Sequence, residues 1–288
     1  MAEAHPLSNP PPLAREGRVE AARFITPALR QRIESTALGT ATIAILLVVW
    51  ELLPHVLPIQ QGTRLFFTVP SRIFATLWQM FATGTIWAPL GVSATAFAIG
   101  LALAIAAGLP LGILLGRSAT LNAMFDPFVT AFNATPRLVF LPLLMLWLGI
   151  GLWSKVAVVF LGALFPLLIN THEGVRNADK LLINVVRSFG ANGWDVARLV
   201  VIPNALPFIV VGLRLAIGRA ILGVVVAEFF GAQEGLGVVM VRAASSFDVN
   251  VVFSGLIVFA ALSLLMTGLV KIIEDRMSRW RPQRAESE

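Results

Sequence analysis

No Asp, Glu, Lys or Arg occurs anywhere in residues 73–116. A water-soluble fold has to cover its core with polar groups, and a stretch of this length supplies too few of them. A bilayer crossing needs about 20 predominantly apolar residues, so the run is long enough to span a membrane. A second charge-free run covers residues 249–270. Composition agrees: hydrophobic residues make up 57% and charged residues 13%, against roughly 45–50% and about 25% in soluble domains. The sequence therefore predicts an all-α, polytopic membrane protein. In that setting the net charge of +6 reads as the Lys/Arg excess of cytoplasmic loops and not as a nucleic-acid footprint. With no cysteine, disulfides and thiolate metal sites are excluded.

Six transmembrane helices are expected, over about residues 36–53, 88–115, 128–147, 153–170, 205–230 and 249–273. Pro136 and Pro142 interrupt the third, since proline removes a helical donor and clashes with the preceding turn. A short interfacial helix is expected over residues 72–81, with Ser71 as its N-cap. Residues 1–34 are polar and Pro-rich and read as a flexible cytoplasmic tail. No small-residue cleavage site follows them, so the first helix is expected to be retained. The transmembrane domain covers residues 35–278, and a basic tail covers residues 279–288. With the N-terminus inside, fifteen Lys/Arg fall on the cytoplasmic side, four on the other and three within spans. That asymmetry favours both termini in the cytoplasm. Gly108, Gly112 and Gly116 share one helix face, a pattern for close helix packing.

The only long polar stretch inside the hydrophobic body lies between spans four and five, over residues 171–198. At helical spacing Phe189, Gly193, Val196 and Val200 form one stripe, beside Gly190, Trp194, Ala197 and Val201. Arg187, Ala191, Asp195 and Arg198 line another face. This predicts a short amphipathic helix, with Pro203 and Pro207 limiting its continuation into span five. Two uses fit the pattern: an anchor in the headgroup layer, or a docking helix for the groove of a soluble partner.

Residues 184–203 resemble the cytoplasmic loop of permease subunits of bacterial ATP-binding-cassette importers. Gly190 stands at the family's glycine, Val200 at its Ile, and Ile202-Pro203 at its Leu-Pro, whereas Asn184-Val185-Val186 replace Glu-Ala-Ala. Residues 136–142 and 147–151 are similar to the third span of the taurine, alkanesulfonate and nitrate permeases. So are Gly212-Leu213-Arg214, Gly218-Arg219-Ala220, the run from Gly223 to Glu228, and Gly235-Leu236-Gly237. The resemblance implies a homodimer resting on two copies of a cytoplasmic ATPase and fed by an extracytoplasmic solute-binding protein. It also implies a coupling helix built from Arg187, Ser188, Phe189, Gly190, Ala191, Trp194 and Asp195. Closure of the ATPase pair would pull on that helix and rock the spans between inward- and outward-facing states.

The chain carries no phosphate-cradling Gly-x-x-x-x-Gly-Lys-Ser/Thr loop: its only lysines, Lys155, Lys180 and Lys271, follow Ser, Asp and Val. ATP and Mg are therefore expected on a partner ATPase, with no cofactor in this chain and no catalytic role. His5, His55 and His172 are scattered and suggest no metal site. Charges inside spans usually face the bundle interior or water, so Arg137, Arg214, Arg219 and Glu228 are candidates for the translocation path. Structural readings stand beside that one. Arg214 could snorkel, and Arg219 could pair with Glu228 of a second copy or cap carbonyls at the Pro136 break. Glu228 could be an interfacial structural carboxylate. The leading expectation is a permease for a small anion, sulfonate- or nitrate-like, in the bacterial inner membrane. The alternative is a self-sufficient secondary transporter or channel, although no internal repeat supports it.

Overall fold

A computed structural model describes residues 27–56 and 67–278, which form helices and no strand. Contacts divide the chain into two units, Met1–Gln60 and Gln61–Glu288. In the first, α1 (Pro27–Val56) carries an apolar run over Ala37–Pro54 whose side chains are exposed or partly exposed.

The second unit is assembled around three long helices, α3 (Trp87–Arg117), α6 (Leu152–Arg176) and α9 (Ile202–Phe229). α6 is the central one, packed on α3 along one face and on α9 along the other. Small residues set the spacing. A Cβ added to Gly100, Gly112 or Gly116 of α3 would lie 2.6 Å from the side chain of Val159, Thr171 or Val175 of α6. Gly162 and Gly174 of α6 admit the backbone of Arg219 and the Phe208 Cβ of α9 in the same way. Helices in lipid gain little from apolar burial and associate through such close approach. The expected glycine face of α3 is this seam.

The remaining helices line the periphery. α2 (Pro70–Ala82) packs on α11 (Val249–Ser278), and α10 (Leu236–Ser245) bridges α9 and α11. α2 opens on Pro70 and not on a Ser71 cap, as suits a residue whose missing N–H would be an orphan there anyway.

Five helical segments are long and apolar enough to cross a membrane among the described residues: Ala37–Pro54, Trp87–Arg117, Leu152–Arg176, Gly193–Phe229 and Val249–Arg276. Residues 128–147 form no single helix. α4 (Ala119–Ala134) ends before Pro136, a 3-10 turn covers Arg137–Phe140, and α5 (Leu141–Leu148) restarts with Pro142 in its first turn. Thr135 is extended, with φ −72° and ψ 130°, as a residue preceding proline prefers. Phe132 of α4 stacks on Phe140 and on Phe165 of α6 and holds the broken segment to the bundle.

Candidate functional site

The loop between α6 and α9 differs from the continuous amphipathic helix that its periodicity predicts. α7 (Lys180–Ser188) starts on Asp179, whose carboxylate accepts from the amides of Leu181 (2.8 Å) and Leu182 (3.4 Å). It stops at Gly190, where φ is +83°. The Gly190 amide donates to the Arg187 carbonyl and the Ala191 amide to that of Val186, the paired closure of a Schellman turn. A four-residue helix, α8 (Gly193–Val196), then begins on a capping box. The Asn192 side chain accepts from the Trp194 and Asp195 amides, and Asp195 accepts from the Asn192 amide at 3.0 Å.

Pro203 and Pro207 do not stop the chain there. A π turn over Ala197–Val201 carries α8 straight into α9, with Pro203 in the first turn of α9. The Ile202 amide reaches the Ala197 carbonyl, so the widened turn absorbs the register change at the proline.

This geometry splits the expected stripe. Val196, Ala197, Val200 and Val201 are buried, whereas Phe189 is 86% and Trp194 66% exposed. Arg187, Ser188 and Gly190 are exposed, and Ala191 packs against the small cluster of Val175, Val196 and Ala205. The loop residues singled out by sequence thus sit together on one double turn, with its two aromatic rings exposed.

The candidate path residues do not form one cluster. Arg214 forms an ion pair with Glu274 of α11, both side chains partly exposed. The side chain of Arg137 lies outside the described residues. Arg219 is exposed on the face of α9 that also shows Val211, Leu215, Gly218 and Leu222. No carboxylate partners it among the described residues.

Glu228 is the opposite case, 2% exposed, and its partner comes from another helix. The Nζ of Lys155 in α6, a residue 3% exposed, donates to Glu228 Oε1 (3.4 Å) and to the Glu234 carbonyl (2.7 Å). Ser93 Oγ of α3 lies 2.8 and 2.9 Å from the two carboxylate oxygens, and the Gly237 amide donates to Oε2 at 2.8 Å. Gly235 has φ +131°, and a Cβ there would overlap the Glu228 carboxylate. The Gly-Leu-Gly segment is therefore a cradle for a buried acid. Four helices meet on this one group. Above it a cleft of about 540 Å³ is lined by Trp87, Thr95, Gly151, Lys155, Gln233 and Glu234. Lys155 escaped the sequence reading because it stands at the start of α6, where a lysine passes for a loop charge. Its burial depends on Glu228 of α9 and on the Glu234 carbonyl in the turn that follows α9.

Residues 108–279 match a family of transporter subunits described as the binding-protein-dependent transport system inner membrane component. The chain belongs to that family, the permeases of ATP-binding-cassette importers. The permease is 31% identical to the taurine transport system permease protein TauC of Escherichia coli (strain K12), over 84% of its own length and 89% of TauC. It is 33% identical to SsuC of Bacillus subtilis (strain 168), a protein named as an aliphatic sulfonates transport permease, over 83% and 85%. A formylaminopyrimidine transport permease, ThiX of Halalkalibacterium halodurans, is 28% identical over 82% and 92%. In fold the permease resembles a chain of the MetNI methionine transporter, solved in inward-facing conformations. There the TM-score is 0.55 at 21% identity, over 65% of the permease and 93% of that chain.

Proposed function

We propose that two copies of the permease form the membrane path of an importer for a small organic anion of the sulfonate or taurine kind. The observation that carries the anionic substrate is Arg219. It lies ten residues before the end of α9, about 15 Å along the helix at about 1.5 Å per residue. A charge at that depth costs at least about 2.5–3.5 kcal/mol when it faces lipid. Exposed and without a carboxylate partner among the described residues, Arg219 calls for water, a second copy or a substrate anion opposite it, and a path between two copies supplies all three. The names of TauC and SsuC support the substrate class.

The broken segment α4–α5 supplies a sixth crossing, both termini lie in the cytoplasm, and the double turn around Gly190 docks on the ATPase. Two ATPase subunits bind ATP and Mg, and a solute-binding protein delivers the anion on the opposite side. Coupling then acts through Phe189 and Trp194, whose exposed rings suit a groove on a soluble partner. The test is uptake of radiolabelled taurine into liposomes holding permease, ATPase and binding protein. Uptake should require all three and ATP, and should fall more than tenfold in Arg219→Ala while the complex stays assembled. Uptake by the permease alone, without any ATPase, overturns the reading.

A further inference from the structure

We propose that the cleft at the shared end of α3, α6 and α7 binds the phosphate headgroup of an anionic phospholipid. The cleft encloses about 280 Å³, and four cations line it: Arg117, Arg176, Lys180 and Arg187. They come from three separate elements, since Arg117 ends α3, Arg176 ends α6, and Lys180 and Arg187 bracket α7. None of the four is paired with a carboxylate among the described residues. Arg117 makes one long bond, 3.4 Å, to the Gly193 carbonyl.

The acids nearby are committed elsewhere. Asp179 caps α7, Asp195 closes the box on Asn192, and Glu173 faces Asn177 and His172. Four positive groups therefore converge on one hollow with no internal counter-charge among the described residues. Helix C-termini welcome cations, and Arg117, Arg176 and Arg187 stand in last turns, but that effect is weak, does not require the three to share one hollow, and disfavours Lys180 at the start of α7. A phosphodiester, with its localised charge and several acceptor oxygens, satisfies all four through charge-assisted hydrogen bonds.

Position selects a lipid as the source. Arg117 directly follows the charge-free run of α3, and Arg176 ends α6 six residues after Asn170, where its apolar run stops, so the cleft lies just past the level where hydrocarbon gives way to headgroups. Its wall includes the apolar residues Ile183 and Val196, and Leu181 and Leu182 lie exposed on the adjoining helix. Acyl chains have a surface to follow, which a soluble phosphate does not use.

The experiment measures thermal unfolding of the full-length permease in neutral detergent, titrated with phosphatidylglycerol, phosphatidylcholine or inorganic phosphate. Phosphatidylglycerol should raise the midpoint in a saturable way, and the other two should not. The variant carrying Arg176→Gln and Lys180→Gln should lose that shift yet unfold at the unmodified midpoint without lipid. If inorganic phosphate alone gives the same shift, the site is a free-anion site and the lipid assignment fails. An unchanged lipid response in the double variant overturns the site itself. Loss of ATPase co-purification in that variant with the lipid response intact makes the patch a protein contact and likewise overturns the proposal. Because no transport is measured, a negative result here leaves the anion-importer reading untouched.

Discussion

Two residues of α9, nine positions apart, solve the problem of charge inside a membrane in opposite ways. Glu228 is sealed among Ser93, Lys155 and the Gly237 amide, while Arg219 stands exposed on the far side of the same helix with no carboxylate opposite among the described residues. A buried charge whose every neighbour is already in place is complete within the chain and serves assembly. One without a carboxylate partner among the described residues is open to water, a second copy or a substrate anion. The contrast is the ground on which structural work is proposed for Glu228 and transport work for Arg219.

The largest effect should come from breaking the sealed group. Lys155→Met leaves a buried carboxylate without its cation, a change worth about 3–5 kcal/mol, and should lower the unfolding midpoint in detergent sharply. Combining it with Glu228→Gln should recover most of that loss. If Lys155→Met is as stable as the parent, the contrast between the two charges disappears. Arg219→Ala should do the reverse, leaving the midpoint within about 1 kcal/mol of the parent, as exposed substitutions usually do, while uptake falls more than tenfold. A stability loss comparable to that of Lys155→Met would move Arg219 into the structural class.

Smaller effects sharpen the boundary. Gly190→Ala places a side chain in the left-handed region, at about 1–2 kcal/mol; with open space around it, the strain is purely of the backbone. Hydrogen exchange should report fraying confined to residues 186–195, with reduced ATP-driven uptake and normal membrane insertion. Arg214→Gln should do least. Its pair with Glu274 is partly exposed, and such pairs contribute about 0–1 kcal/mol, so an effect on uptake without one on stability would return Arg214 to the path.

Much of the fold was legible because a bilayer leaves few choices. Charge-free runs marked α3 and α11, the prolines at 136 and 142 marked the broken segment, and glycines four apart on α3 marked its seam with α6. The Lys155–Glu228 pair was not legible, since helical periodicity says which face of a helix is apolar and not which helix covers it. The break at Gly190 was missed for another reason. A 3.6-residue period runs through residues 187–201, but Gly190 followed by Asn192 and Asp195 spells a helix stop and a new capping box. Local terminator chemistry outranked periodicity, and reading it first would have found the turn.

The glycine seam between α3 and α6 has a mechanical consequence. Each helix contains a proline, Pro110 and Pro166, and in an isolated helix either one would be a hinge. Here Gly108 and Gly112 flank Pro110 and lie directly on the Leu164–Thr171 stretch that contains Pro166. Each helix is splinted at its weak point by the other. The pair therefore behaves as a stiff beam, and a tilt imposed at Arg117 arrives at Ser93, about 36 Å away at about 1.5 Å per residue, as a tilt and not as a bend.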